Sequence, residues 1–399
     1  SLCGQCTVTC PNGFDMSQVC KSARENMVST DKMPLAPHEF ALMDMLFSNS
    51  DAFLCKPQPG YETSRYVFFP GCQAGAIAPD VVMDAYEDLC ARVEGGVGLI
   101  LGCCGAISEW AGRYEMTEKV NEQLKQELAK LGDPVIIAGC PSCMKQLKEN
   151  TGAEVRGIWE ILKEIGLPGK ARGLEIPVAI HDACGARGDT RTQDTIRELL
   201  MEMGCTVEDT EYSRDLSPCC GYGGLTAYAN KEMAAKMTEK CLERSDAPYI
   251  TYCMACRDRF AREGRESRHI LELLYGDNAC NMPDISEKRY NRLVLKEKLL
   301  KNIWNEELMM EKKDYTVAYT EDAIRMMDER MILKSDVEHV LADYRESQEA
   351  VFDEETKELV TRSRLGNVTF WVRFVETEEG YLVRRAYSHR MNIMKRVGQ

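Results

Sequence analysis

The sequence predicts an α/β protein: two pseudo-repeated βαβαβ domains with parallel sheets, a carboxy-terminal α+β unit, and a short helical segment in front. Three observations carry this. A cysteine array of the form C…CC…CxxC occurs twice in the same order. Around each array, short apolar runs alternate with amphipathic stretches of helical period, as expected for strands covered by helices. No apolar run reaches the ~20 residues that cross a bilayer, so no transmembrane span is expected.

Taken in order, residues 1–33 form a first segment and 34–63 a linker. In the first domain, 64–170, Arg65 to Phe69 reads as a strand ending at Pro70-Gly71-Cys72. Pro79, at a favoured first helical position, opens a helix with Val82, Tyr86, Leu89 and Val93 on one face. Val97 to Leu101 is a strand running into Cys103-Cys104. A helix with Val120, Leu124, Leu128 and Leu131 ends at Gly132, and Val135 to Ile137 is a strand delivering Cys140. In the second domain, 171–282, Val178 to Ile180 leads to Cys184, and a helix carries Ile196, Leu199, Leu200 and Met203. A helix over roughly Lys231 to Arg244 follows, and Tyr249 to Thr251 delivers Cys253; the strand before Cys219 is hard to see. Sites in such sheets lie beyond the carboxyl ends of the strands. The five cysteines of each copy are therefore expected on one edge.

Residues 283–316 contain an amphipathic helix with Leu293, Leu295, Leu299, Leu300, Ile303 and Trp304 interleaved among charges, expected to dock onto the cysteine-rich core. In the last unit, 317–399, a helix starts near Thr320 and Ser335-x-x-Glu338 reads as a capping box opening another. Val368 to Val375 and Tyr381 to Tyr387 read as a hairpin turning at Glu379-Gly380. Arg384, Arg385, His389 and Arg390 make a basic end suited to a partner subunit. No chemistry is derived for this unit.

The 399 residues carry 19 cysteines against 5 histidines, and a net charge of −14 from 50 basic and 64 acidic residues. That balance argues against nucleic acid as a partner, because phosphate binding needs a basic face. It permits docking to a basic redox partner. A disulfide framework belongs to small secreted chains. Here the chain is long, no secretory signal is visible, and a cytoplasmic, reducing compartment is expected.

The arrays themselves decide between ligands. Cys72 is followed after 30 residues by Cys103-Cys104 and after 35 more by Cys140-x-x-Cys143. Cys184 is followed after 34 residues by Cys219-Cys220 and after 32 more by Cys253-x-x-Cys256. Structural zinc wants four ligands, whereas each copy offers five, two of them adjacent. Adjacent cysteines chelate one small ion poorly and suit a larger body with several iron atoms. A thioredoxin-like C-x-x-C would leave the CC pairs unexplained. Gly71, Gly105 and Gly221 beside these cysteines are candidates for letting the backbone approach a cofactor. No G-x-G-x-x-G follows a strand, so no flavin or nicotinamide site is expected.

Pro70-Gly71-Cys72, Cys103-Cys104-Gly105, Gly139-Cys140-Pro141-Ser142-Cys143, His181-Asp182-Ala183-Cys184, Cys219-Cys220-Gly221 and Cys253-Met254-Ala255-Cys256 resemble the duplicated CCG domains of the heterodisulfide reductase family, over about residues 64–260. The resemblance implies one noncubane four-iron (4Fe-4S) cluster per copy, each held by five cysteines. It also implies a substrate disulfide between the clusters and electrons arriving from cubane clusters. His181 matches a histidine of relatives that could give a proton to a departing thiolate. Cys3-Gly-Gln-Cys6-Thr-Val-Thr-Cys10-Pro11 resembles the end of the ferredoxin signature C-x2-C-x2-C-x3-C-P. Residues 1–33 are accordingly expected to be the end of a ferredoxin segment, with its cubane 4Fe-4S site incomplete in this fragment and complete in a longer chain.

The leading expectation is an iron–sulfur oxidoreductase, an enzyme that reduces a small-molecule or protein disulfide or oxidises thiols, with an electron-donating flavoprotein or ferredoxin as partner. The alternatives are an electron-relay subunit of a glycolate, lactate or glycerol-3-phosphate type dehydrogenase, and a zinc-stabilised scaffold.

Overall fold

The computed structural model describes residues 1–33, 36–276, 280–307, 314–365 and 368–390. They fall into two compact units: Ser1–Met282 with Arg289–Glu307, and residues 283–288 with the described part of 314–390. No helix among the described residues is long and apolar enough to cross a membrane.

The first unit contains two sheets. In one, β1 (Leu54–Lys56), β2 (Tyr66–Phe69), β3 (Val97–Leu101), β4 (Val135–Ala138) and β5 (Val155–Gly157) lie in the order β1-β3-β2-β4-β5. β2 runs parallel to β3 and β4, with Tyr66 opposite Val97 and Val135; β4 runs parallel to β5, and β1 pairs antiparallel with β3. In the other sheet, β6 (Val178–His181), β7 (Val207–Asp209), β8 (Tyr249–Thr251) and β9 (Ser267–His269) lie in the order β7-β6-β8-β9, all parallel. Leaving β1 aside, the two copies share one topology, with the second strand outside the first and the third and fourth following on the other side. Helices cover the strands, so interior strands read as unbroken apolar runs; every residue of β3 is buried.

The helices take the faces their periodicity predicts. Pro79–Arg92 starts on its proline and buries Val82, Tyr86 and Leu89. Tyr114–Lys130 buries Val120, Leu124 and Leu128, and the chain leaves it through Gly132 at φ 88°. Thr190–Glu202 buries Ile196, Leu199 and Leu200.

In the first unit three expectations change. Each copy has a fourth strand, β5 or β9, that the sequence does not announce, because three residues with one half-exposed arginine carry too little pattern. The strand leading towards Cys219 exists as β7, but it is a polar edge strand with Glu208 and Asp209 exposed. It ends ten residues before the cysteine pair, and Arg214–Leu216 forms a 3-10 turn between them. The stretch 34–63 is structural rather than a linker: it contains the helix Ala36–Ser48 and strand β1, with Ala41, Leu42 and Met45 buried.

The amphipathic helix Ile285–Trp304 docks on the cysteine-rich unit, burying Leu295, Leu299 and Leu300. Its Trp304 stacks on Tyr86 with centroids 5.8 Å apart and donates its indole N–H to the Pro57 carbonyl at 2.9 Å.

The second unit is a five-stranded sheet in the order β10-β14-β13-β12-β11, formed by β10 (Thr316–Tyr319), β11 (Val351–Asp353), β12 (Glu358–Leu365), β13 (Val368–Thr377) and β14 (Gly380–His389). The helices Glu321–Arg330 and Lys334–Ser347 pack on it over a core of Met327, Val340, Leu341, Val372, Phe374 and Val383. The β13–β14 hairpin is the expected one. The capping box is displaced: Leu333 precedes the helix, and Asp336 accepts from its N–H at 2.9 Å, in place of the Ser335–Glu338 pair.

Candidate metal centre

The ten array cysteines are brought together by the strand ends. Cys72 opens a short helix immediately after β2, and Cys184 opens a 3-10 turn just beyond β6. Cys103-Cys104 follow β3. Cys140 and Cys253 are the N-cap residues of the helices Pro141–Thr151 and Met254–Arg262. Each C-x-x-C therefore sits on the first turn of a helix, where unsatisfied N–H groups and the helix dipole favour thiolate.

Their thiols form one continuous chain. In the first copy, neighbouring thiols run Cys72, Cys103, Cys104, Cys143, Cys140. In the second they run Cys184, Cys219, Cys220, Cys256, Cys253, with the Cys256 and Cys220 sulfurs 3.1 Å apart. Cys140 and Cys253 are themselves neighbours, so the two arrays meet through their C-x-x-C motifs. Sharing of protons along the chain splits the acidities. Hydrogen bonds from Cys103 and Cys143 pull Cys104 down to about 6, and hydrogen bonds from neighbouring cysteines hold Cys140, Cys219 and Cys220 below the usual thiol range. The same bonds, with burial, push Cys72, Cys143, Cys184, Cys253 and Cys256 up.

The glycines divide by role. A Cβ on Gly71, at φ 89°, would lie 3.2 Å from the Cys143 sulfur and 3.6 Å from the Cys140 Cβ, so its bareness keeps space open among the thiols. On Gly105 and Gly221 a Cβ would instead meet Val120 and the Ala234 carbonyl. Those two serve the turn and close helix packing; the Gly221 N–H also points at the Cys219 sulfur, 3.4 Å away.

His181 is buried beside Phe260, and its Nε2 has no hydrogen-bond partner among the described residues. One of its ring nitrogens and the sulfurs of Cys220 and Cys256 lie within 4.8 Å of one another. Burial lowers its pKa to about 4, so near neutrality it is a neutral imidazole and not a ready imidazolium donor. The next residue, Asp182, is a structural anchor. Its carboxylate accepts from Arg197 Nη1 and Nη2 at 3.0 and 2.9 Å, from the Arg214 N–H at 2.6 Å and from the Tyr252 hydroxyl at 3.0 Å.

Supports from outside the repeats carry no sequence signal. Asn49 accepts from the Cys103 N–H at 2.7 Å and donates to its carbonyl at 3.1 Å. Arg292 donates to the Cys72 carbonyl at 3.0 Å while Asp44 takes its other two nitrogens at 2.8 and 3.0 Å. Cys3 neighbours Cys219, which, together with burial, drives the Cys3 thiol up. Arg187 and Gln5 tie this segment to the loop before Cys219 through the carbonyls of Cys3 and Leu216, at 2.9 and 2.8 Å. Cys6 is exposed and Cys10 half-buried at a helix end. Cys90 and Cys241 donate to the Val97 and Cys219 carbonyls, as structural thiols.

A cavity opens against the first array. Its walls include Ala74, Ile107 and Trp110 from the first copy and Tyr222, Cys253 and Met254 from the second. The Tyr222 hydroxyl lies 3.4 Å from that of Tyr228.

Comparison with known proteins agrees with this anatomy. The CCG cysteine-rich domain matches residues 66–148 and again 178–261, so the chain carries that domain twice. An iron–sulfur protein of Methanocaldococcus jannaschii is 28% identical over 41% of this chain and 33% of its own length. A second, from Methanococcus maripaludis, is 26% identical over 64% of this chain and 55% of its own length. The chain thus spans from a third to about half of these two relatives. One subunit of the dihydromethanophenazine:CoB–CoM heterodisulfide reductase of Methanosarcina acetivorans is 22% identical over 67% of this chain and 72% of its own length. The chain thus carries two CCG cysteine-rich domains and is similar to iron–sulfur proteins and to a subunit of a heterodisulfide reductase.

Proposed function

We propose that this chain is an iron–sulfur oxidoreductase module that reduces a disulfide, or runs the reverse thiol oxidation, with one noncubane four-iron cluster per CCG copy. Cys72, Cys103, Cys104, Cys140 and Cys143 would hold one cluster, and Cys184, Cys219, Cys220, Cys253 and Cys256 the other. The observation that carries this reading is the single chain of ten thiols: five sulfurs per copy, buried or half-buried, exceed the four that a zinc ion takes. The donor set is soft sulfur, and the bareness of Gly71 keeps room beside it.

When bound, such clusters supply electrons one at a time. Reduction breaks one S–S bond, takes up two electrons and two protons, and releases two thiols. The chain's own residues do the rest. Ile107, Trp110 and Met254 line the approach with apolar surface and exclude water. Tyr222, whose hydroxyl pairs with that of Tyr228, would be the nearest hydroxyl donor for a departing thiolate. Asp182, with Arg197 and Tyr252, ties the Cys184 loop to the residue before Cys253. Electrons would come from cubane clusters of a flavoprotein or ferredoxin partner. Contact between Cys3 and Cys219 supports an approach on the side of the second array.

The test is iron, zinc and acid-labile sulfide per chain after strictly anaerobic purification. About eight iron atoms with matching sulfide are expected. About four iron atoms would move the reading to an electron-relay subunit, and zinc without sulfide would leave only a scaffold.

A further inference from the structure

We infer that the outer face of strands β12 to β14 docks an extended acidic segment of a partner protein. The inference is independent of the reading of the metal centre. Both helices of the second unit pack on one side of its sheet, over Val372, Phe374, Val383 and Ala386. Strand alternation turns Arg362 and Arg364, Trp371 and Arg373, and Arg385, Tyr387 and His389 to the other side. The register shift beside Arg373 lets Val383 and Ala386 both face the core and leaves Arg384 exposed next to Arg385.

Charge decides what such a face can take. Residues 359–375 and 380–390 carry three arginines each and no aspartate or glutamate, in a chain of net charge −14. Arg373 is committed to Asp353 and Glu358. Arg362, Arg384 and Arg385 are exposed, and among the described residues no carboxylate pairs with them. The Trp371 indole N–H has no acceptor among the described residues either. The face thus offers unspent donors, and guanidinium groups take carboxylates in bidentate pairs. Tryptophan, tyrosine and arginine together are also the make-up of interface hot spots.

The rings argue for carboxylates over nucleotides. Arg362, Trp371 and Tyr387 stand in one row across the three strands. The Arg362 guanidinium lies over the Trp371 ring, 5.0 Å from its centroid. From the strand on the other side, Tyr387 stacks on the same ring, with centroids 6.0 Å and planes 6° apart. Trp371 is therefore flanked from both neighbouring strands and does not present the open ring face on which a base stacks. An extended segment sets alternate side chains about 7 Å apart, which is the spacing of Arg362 and Arg364 along β12. Acidic residues at alternate positions would meet both.

The test follows the fluorescence anisotropy of a labelled peptide of four Glu-Thr repeats titrated with the full chain. It is expected to bind at least about tenfold more tightly than its Gln-Thr counterpart and than a labelled oligothymidylate. Arg362→Gln, Arg384→Gln and Arg385→Gln in one chain should weaken it about tenfold. Trp371→Phe, which keeps a ring and removes the N–H, should weaken it about threefold. Lys145→Gln with Lys148→Gln removes two exposed cations from the first unit and should leave binding unchanged. An acidic peptide bound no better than the neutral one overturns the inference, as does an equal loss in the arginine and lysine variants. Oligothymidylate bound as tightly as the acidic peptide would assign the face to nucleic acid and overturns it too.

Discussion

Replacing Asp182 by alanine should unhinge the second array while touching no cysteine. The carboxylate is buried and uses both oxygens twice: Oδ1 for Arg197 Nη1 and the Tyr252 hydroxyl, Oδ2 for Arg197 Nη2 and the Arg214 N–H. Its side chain is 0% exposed and that of Arg197 9%. Removing one partner of a buried ion pair costs about 3–5 kcal/mol, chiefly because the other charge is left uncompensated. Arg197 retains Asp209 as a second partner, on a half-exposed carboxylate, so the lower part of that range is expected. Asp182→Asn keeps an acceptor and should cost about 2 kcal/mol. Urea unfolding followed by the emission of Trp159, buried against Tyr252, measures both. Burial raises the Asp182 pKa, but Arg197, Arg214 and Tyr252 outweigh it and hold it below the ordinary value. A depressed carboxylate contributes stability that is present above the unfolded pKa of about 3.9 and is lost as pH falls through the folded value. The gap between wild type and Asp182→Ala should therefore be full at pH 6 and shrink below about pH 4. A gap under about 1 kcal/mol at pH 6, or one that grows on acidification, would refute the reasoning.

Other perturbations separate the two arrays. Asn49→Ala removes two hydrogen bonds from the Cys103 backbone, and about 1–3 kcal/mol of stability with them. Iron content should fall by up to half, and undiminished iron would show that the clamp is dispensable. Gly71→Ala places a methyl 3.2 Å from the Cys143 sulfur at φ 89°, a strain of about 1–3 kcal/mol; iron analysis should register loss from one centre, and full loading would contradict the geometry. His181→Phe copies the residue that precedes Pro70-Gly71-Cys72 in the first copy and removes the one imidazole grouped with Cys220 and Cys256. Iron should be retained while the midpoint potential of one centre moves and the other holds; two unchanged potentials would deny His181 any influence.

Much of this is legible because the informative residues are local and repeated. β3 reads directly from Val97 to Leu101 because it is an interior strand buried on both faces and runs straight into Cys103. Its counterpart β7 is an edge strand, so Glu208 and Asp209 face solvent and hide the alternation on which recognition depends. The cysteines can be grouped by copy from spacing alone. Their junction at Cys140 and Cys253 cannot, since it depends on how two helix N-termini meet. The stretch 34–63 passes for a linker for a related reason. Its helix is apolar around most of its circumference and lacks a clean stripe, and Asp44 and Asn49 declare themselves only through partners 248 and 54 residues distant in sequence.

Duplication has thus produced two arrays of five cysteines with different neighbours. The first is braced by residues foreign to its own domain: Asn49 grips the Cys103 backbone, and Arg292, held by Asp44, grips the Cys72 carbonyl. It also opens into a cavity whose far wall, Tyr222 and Met254, is lent by the second copy. The second site is braced from within, by Asp182 and Arg197, and has His181 and Cys3 at its edges. A two-electron reaction served by one-electron sites needs the two to be close, and the Cys140–Cys253 contact provides closeness. Equivalence is not required. Under the proposed function one array would face the substrate and the other the donor, and their unequal neighbours are the physical means by which the repeat would divide that labour.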